Sequence, residues 1–334
     1  MLSLLDMSTR LAVAIVAADT TDALAQARAL PPSVTLVEYR LDMMADADVA
    51  LLAKQTPVPA IFTCRPRSQG GKFDGSETER RSILKQALAT GHLVDIEMET
   101  LPELADSISD PARVIGSQHD FDGMLGDWGS WGQRILARGA GVAKLVGMAA
   151  SEDDVLPPIA WLARMTHPAI AIAMGASGVA TRLLAPRFPA AFLTFASLAN
   201  ASAPGQIHVR ELIDLYGFQH IGRAAPLLAL LTPDPVSWEQ VQRYRRAMRQ
   251  RFSHGHPWLL PIPVKEIHAG LLLALQLARV SGVLRLPGMT LSSELPAYGF
   301  DSGAHAWDMT FSPARAFFAA PDPDAVMAFF FQGN

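Results

Sequence analysis

Short apolar runs, β-branched or aromatic in character, recur along the first part of the chain at intervals of roughly 20 to 35 residues, the length and texture of buried parallel strands. In order they are LAVAIVA from Leu11, LVEYRLD from Leu36, AIFTCR from Ala60, LVDIEM from Leu93, RVIGSQHD from Arg113, GVAKLVGMA from Gly141, AIAIAMG from Ala169 and FLTFASL from Phe192. Stretches of Ala, Leu and Arg with helical spacing separate most of them. One is TERRSILKQALATG from Thr78, which reaches Gly91 where a helix would stop. The alternation predicts an α/β fold, a (β/α)8 TIM barrel; an open doubly wound sheet shares the alternation, and the count of eight favours closure.

After Gln206 the texture changes. HVRELIDLYGFQHIG predicts a last helix running into a connector, and Pro226, Pro233 and Pro235 punctuate a new start. From Val236 the pattern predicts an Arg-rich helix over Trp238 to Phe252, a short strand around LLPIPV and a Leu-rich helix over Glu266 to Val280, before a Pro/Gly-rich remainder. These elements form a smaller α/β domain, too short for a full nucleotide-binding domain. A boundary near residues 218 to 226 separates a barrel over 1–220 from a second domain over 225–334.

A length of 334 residues fits two such units, and 50% apolar with only 18% charged residues gives ample material for a core. The 28 basic and 32 acidic side chains leave a formal charge of -4, with no broad attraction for nucleic acid or an anionic membrane. The single cysteine, Cys64, forms no internal disulfide or thiolate zinc cage and fits a reducing compartment. Asp6 and Arg10 precede the first apolar run in place of a basic-then-apolar leader. Apolar stretches such as Leu271 to Leu275 are broken well before the roughly 18 residues a span needs, so a soluble, cytoplasmic protein is expected.

In a barrel of this kind chemistry gathers at the carboxyl ends of the strands, and polar residues are abundant there: Glu38, Arg40, Arg65, Glu97, His119, Lys144 and Arg182, with Ser202 and Gln206 after the last run. Lys144 alone of the five lysines sits inside an apolar strand. Desolvation there would lower its pKa and leave a neutral amine able to attack a ketone, unless the ammonium snorkels to solvent. His119 in SQHDF is either a proton shuttle or a core histidine satisfied by Asp120 or backbone. Arg40, Arg65 and Arg182 could bind a carboxylate and hydroxyls or pair with Glu38, Asp42 and Glu97, and the two uses are not exclusive. GAGVAK from Gly139 lacks the third glycine of a dinucleotide fingerprint and leads into a strand, and His254 and His256 lack further ligands, so nucleotide and metal are disfavoured.

Taken in order, VEYRLD, TCRPRSQGGKFDGSETER, VDIE, GSQHDF, AKLVGMA, MGASGVATR and SAPGQI resemble the type I 3-dehydroquinate dehydratase family, from about Leu11 to Ile207. The resemblance implies that Lys144 forms an imine with the C3 ketone of 3-dehydroquinate, and that His119 takes a C2 proton and later delivers one to the departing C1 hydroxyl. It implies that Arg182, Ser202 and Gln206 hold the substrate carboxylate and its neighbours, that Glu38, Arg40 and Arg65 address ring hydroxyls, and that no metal or nucleotide cofactor takes part. Where the family usually has a glutamate that supports the histidine, this chain has Gln69, an amide that hydrogen-bonds but cannot stabilise an imidazolium as a carboxylate does. Thr181 and Phe188-Pro189-Ala190 are smaller departures.

LLTPDPVS, WLLPIPV and SGVLRLPGMTL resemble the substrate-binding half of shikimate dehydrogenase. The family's serine-rich loop has become Trp238-Glu239-Gln240, Glu294 stands in the catalytic lysine's place, and the nucleotide-binding half is missing. The resemblance implies a relic without dehydrogenase activity, retained for packing or association, a homodimer being one form of it; an unrelated α/β domain is the alternative. For the whole chain the expectation is a hydro-lyase of the shikimate pathway. The alternatives are a catalytically weakened ligand-binding or scaffold protein of that pathway, and another Schiff-base lyase or aldolase on the same barrel.

Overall fold

The computed structural model describes residues 9–198, 202–251, 257–285, 289–292, 306–311 and 314–318. Each apolar run forms a strand: β1 (Arg10–Ile15), β2 (Leu36–Arg40), β3 (Ala60–Thr63), β4 (Leu93–Glu97), β5 (Val114–His119), β6 (Val142–Met148), β7 (Ala169–Met174) and β8 (Leu193–Ser197). They lie in the order β7-β6-β5-β4-β3-β2-β1-β8, each ladder parallel, and a two-residue strand β9 (Ile207–His208) adds to β8. The ring closes at the start of β7. Ala169 forms a parallel bridge with Ala191, its N–H donates to Ala190 O at 2.8 Å, and its carbonyl accepts from Phe192 N–H at 2.9 Å.

A helix follows every strand: α1 (Thr20–Arg28), α2 (Val49–Gln55), α3 (Glu77–Ala89), α4 (Leu101–Leu104), α5 (Trp128–Ala137), α6 (Leu156–Arg164), α7 (Val179–Leu184) and α8 (Val209–Asp214). Local chemistry sets their ends. Asp19, Asp48 and Asp127 accept backbone N–H bonds as amino-terminal caps, and Ser76 with Glu79 forms a reciprocal capping box on α3. Gly91, at φ 76°, turns the chain after α3 in the left-handed region open to glycine.

Strand alternation divides the core in two. Val37, Tyr39, Phe62, Cys64, Val94 and Ile96 face outward into the helix layer, while Leu36, Ile61, Leu93, Ile115, Val142, Ile170 and Leu193 face inward and floor the barrel. Cutting a floor residue such as Ile61 to Ala would cost about 2–5 kcal/mol, because closed strands cannot collapse onto the void. Two residues beyond that floor along β2 to β6 the inward positions are Glu38, Thr63, Asp95, Ser117 and Lys144, so the same alternation that seals the bottom delivers polar groups toward the top.

The remainder builds a separate sheet. Its strands β10 (Leu227–Thr232), β11 (Trp258–Pro263), β13 (Gly282–Arg285), β15 (Ala306–Phe311) and β16 (Ala314–Phe318) run in the order β11-β10-β13-β16-β15, with helices α9 (Trp238–Arg251) and α10 (Ala269–Leu277). The Leu-rich helix expected over Glu266 to Val280 is shorter. Glu266–Ile267 is a strand, β12, paired with β14 (Thr290–Leu291), and His268 is extended, so the helix begins only at Ala269. It stops where Arg279 turns left-handed at φ 52°. The Arg187 guanidinium of the barrel holds this end and the connector, donating to the carbonyls of Ala278, Arg279, Gly222 and Ala225. Phe252, His254, His256 and Glu294 lie outside the described residues. Among the described residues no helix is long and apolar enough to cross a membrane.

Candidate active site

Above the apolar floor, β3 to β6 carry a connected polar wall. In register, Ser117 lies opposite both Glu97 on β4 and Lys144 on β6. Because Ser117 is small, the Asp95 carboxylate reaches across β5, and Lys144 Nζ lies 2.7 Å from Asp95 Oδ2 and 4.6 Å from the centroid of the Phe195 ring on β8. The amine is therefore buried but not stranded among apolar side chains: it has a carboxylate on one side and an aromatic face on the other.

The same Asp95 accepts from Ser117 Oγ at 2.6 Å and pairs with Arg65 at 2.8 Å, while Arg65 Nη1 reaches Glu97 at 2.5 Å. Arg80 closes the network from α3, bonding Glu97 Oε2 at 2.5 Å and the Cys64 carbonyl at 3.0 Å. Burial alone would raise the Asp95 carboxyl, but Arg65 and Lys144 outweigh it and hold it far below the usual carboxylate range. Burial would likewise lower Arg65, yet Asp95 and Glu97 outweigh it and raise it. Burial pushes the Cys64 thiol up to about 12, which leaves it inert.

His119 ends β5, two residues beyond Ser117 on the same face. Its Nδ1 lies 3.2 Å from Gln69 Oε1. An amide oxygen only accepts, so Nδ1 carries the proton and Nε2 keeps its lone pair. Asp120 does not satisfy the histidine; its Oδ1 accepts from the N–H groups of Asp122 and Gly123. Burial, reinforced by the charges of Arg65 and Lys144, holds the imidazole well below its ordinary pKa and hence neutral. Phe121 stacks on it, the ring centroids 6.2 Å apart. Gly70, at φ 74°, makes that stacking possible, since a Cβ there would lie 2.2 Å from the Phe121 ring.

The other side of the mouth differs. Arg40 makes a two-pronged pair with Asp42 at 2.9 and 2.8 Å, and Glu38 accepts from Thr63 Oγ1 at 2.8 Å. Ser202 and Gln206 bond each other across a tight loop, Gln206 Oε1 accepting from Ser202 N–H at 2.7 Å. Arg182 on α7 is 2% exposed, and among the described residues its Nε and Nη1 have no hydrogen-bond partner, while Nη2 reaches only the Pro204 carbonyl at 3.5 Å. Burial lowers this guanidinium to about 10. Thr181 fixes the helix beneath it, donating to Gly178 O at 2.8 Å and accepting from Ala173 N–H at 3.1 Å.

One pocket of about 510 Å³, counting its solvent-open mouth, is lined by Lys144, His119, Gln69, Glu38, Arg40, Arg65, Arg182, Ser202 and Gln206, while Glu97, the other strand-end residue named from the sequence, does not line it and pairs with Arg65 and Arg80. Asp95, Ser117, Thr63, Phe121 and Phe195 were not singled out in the sequence. The signal for Asp95 was present, since it precedes Glu97 by two positions and must share its face, and a lysine within a strand requires a carboxylate from a neighbour. Among the described residues no cluster of His, Cys, Asp and Glu has a geometry for metal. The chemistry on display is that of a buried amine beside a neutral imidazole, facing an unpaired guanidinium that awaits an anion.

A family profile described as Type I 3-dehydroquinase matches residues 11–223, some way past the Ile207 limit of the motif resemblance. The 3-dehydroquinate dehydratase of Methanothrix thermoacetophila is 35% identical over 188 residues, covering 55% of this chain and 82% of that protein. The bifunctional 3-dehydroquinate dehydratase/shikimate dehydrogenase of Arabidopsis thaliana, a chloroplastic protein, is 34% identical over 200 residues. That match covers 56% of this chain, which spans only 33% of that relative's length. A solved structure of dehydroquinate dehydratase and shikimate dehydrogenase from S. pombe AroM superposes with TM-score 0.54 at 22% identity, covering 94% of this chain and 65% of that one, a likeness of fold across both units.

Proposed function

Because the chain belongs to the type I 3-dehydroquinase family, we propose that it is a hydro-lyase that converts 3-dehydroquinate to 3-dehydroshikimate through an imine at Lys144. The observation that carries this reading is the placement of Lys144 Nζ inside the pocket, paired with Asp95 and one strand from a neutral His119. His119 takes a proton from the Lys144 ammonium, the free amine adds to the C3 carbonyl, and the carbinolamine hydroxyl leaves as water with the proton that His119 returns, giving a protonated imine. Asp95, fixed by Arg65 and Ser117, faces a positive nitrogen both before and after this step, so the electron sink is stabilised without reorganisation. His119 Nε2 removes the C2 proton, the electron pair moves toward the imine nitrogen, and the C1 hydroxyl departs as water with the proton His119 delivers. Addition of water to the conjugated imine releases the product and restores Lys144.

Arg182 has two unused donor nitrogens and is the group to bind the substrate carboxylate, with Ser202 and Gln206 beside it; Glu38, Arg40 and Arg65 face the ring hydroxyls. Purified protein given 3-dehydroquinate should generate the ultraviolet absorbance of the conjugated enone. Absence of that signal across neutral pH would refute the dehydratase reading. Gln69 favours a second reading, a ligand-binding member of the pathway with little turnover, since an amide supports an imidazolium less than a carboxylate does. Large recovery of turnover in Gln69→Glu would select it.

We infer that the chain divides into a barrel over 1–220 and a second unit over 225–334, the latter related to the dehydrogenase part of such fused enzymes and expected to lack dehydrogenase activity. The substrate class is a small polar ketone acid. A cytoplasmic setting rests on the lone, buried cysteine, and association as a homodimer goes with the second unit.

A further inference from the structure

We propose that the second unit braces the substrate-binding loops of the barrel, with Glu152 as the positioning residue that connects them. The turn Glu152–Val155 follows β6 at the rim of the pocket, where the strand carrying Lys144 ends. Asp154 is spent on that turn itself, accepting from the N–H groups of Ala150 and Ser151. Its two neighbours point elsewhere. Glu152 is only 4% exposed, and its Oε1 accepts both from Lys265 N–H of the second unit at 2.9 Å and from Ser177 Oγ of the β7–α7 loop at 3.3 Å. Asp153 Oδ1 accepts from Gly270 N–H in the first turn of α10 at 2.5 Å. A Cβ at Gly270 would lie 2.6 Å from that oxygen and 2.9 Å from Asp153 Cα, so the close approach requires glycine. His268 adds to the contact, with Nδ1 at 3.3 Å from Asp153 and Nε2 at 3.9 Å from Glu152.

What the brace holds follows from Ser177. It lies in the turn that leads into α7, the short helix bearing Arg182. A helix this short has little stability of its own. Among the described residues Arg182 has no carboxylate to fix its head group, so its position depends on what fixes its helix. The same loop backs the Ser202–Gln206 loop: Gly175 N–H donates to Pro204 O at 3.4 Å, and Gly205 comes so near that a Cβ would lie 2.4 Å from the Gly175 carbonyl oxygen. Lys144 and His119 sit instead on β5 and β6, whose ladders owe nothing to the second unit. The brace therefore acts on substrate binding and leaves the chemical step alone.

The kinetic part of this inference rests on the dehydratase reading; the structural part does not. Hydrogen exchange on the intact chain should show peptides spanning 175–184 and 202–207 exchanging about tenfold faster in Glu152→Ala than in the unchanged protein, the loss expected for charge-assisted bonds, with β5 and β6 peptides unaltered. The KM for 3-dehydroquinate should rise about tenfold with kcat within roughly twofold. Glu152→Gln, which keeps the accepting oxygen, should restore most of both, and Ser177→Ala, which cuts only the link to the loop, should shift both about threefold in the same direction. Equal exchange in 175–184, a falling Tm with an unchanged KM, or parallel loss of kcat would overturn the brace. If the unchanged protein fails to turn over 3-dehydroquinate, the dehydratase reading fails and the exchange result alone decides the brace.

Discussion

Two buried guanidiniums line the same pocket in opposite circumstances. On the β3–β5 wall Arg65 is locked between Asp95 and Glu97, and its charge is already answered before any ligand arrives. On the β7–α7 side Arg182 is as deeply buried, but among the described residues no carboxylate meets it and two of its nitrogens are idle. Closed pairs preset a field: they keep Asp95 ionised beside Lys144, and burial with the charges of Arg65 and Lys144 keeps His119 neutral. An open charge costs stability until something binds it, which is how a site reserves energy for a ligand. The two sides of the mouth thus divide chemistry from recognition.

That contrast can be broken most severely at the amine. Lys144→Met should reduce turnover to background while leaving binding of a carboxylate ligand detectable by calorimetry. Next, Arg65→Met takes one of two cations from each of Asp95 and Glu97, which keep Lys144 and Arg80, and should cost about 1–3 kcal/mol of stability, seen as a fall in the urea midpoint. Arg182→Met should do the reverse, raising KM by about 10- to 100-fold through loss of a charge-assisted contact while leaving the midpoint unchanged or higher. Equal destabilisation by the two arginine changes would erase the distinction.

The pH dependence is a gentler probe. Below the ordinary histidine value the unfolded chain protonates at His119 while the folded chain, whose pKa is lower, does not; stability therefore falls as pH drops through that window, and the His119→Ala variant should lose this part of the slope. The acid limb of turnover should likewise lie below the usual histidine range. Gln69→Glu places a negative charge at Nδ1, favours the imidazolium and should move that limb toward neutral pH, with kcat at its optimum altered by less than about tenfold. A gain of about a hundredfold would instead favour the weakened-enzyme reading.

Much of this was legible in the chain. The eight runs named the strands, and because inward positions repeat every second residue, Glu38 with Arg40, and Ser117 with His119, had to share faces. The partner of Lys144 was only half legible: Asp95 must share the face of Glu97, but which carboxylate meets the lysine depends on Asp95 of β4 reaching across Ser117 of the intervening strand. A linear reading sees the apolar neighbours of Lys144 and infers a desolvated amine; the fold adds the carboxylate that such a reading does not see. The start of α10 was hidden for a similar reason, because Glu266–Ile267 follows a distant strand partner, Thr290–Leu291, in preference to its own helical pattern. The role of Glu152 depends on three segments meeting, and no local pattern announces it.

The imine itself is open to direct capture. Borohydride added to the intact protein with 3-dehydroquinate should raise its mass by one reduced adduct, carried on the peptide containing Lys144 and absent from Lys144→Met. Turnover without any adduct, or an adduct on Lys54, Lys72, Lys85 or Lys265 in place of Lys144, would contradict the account.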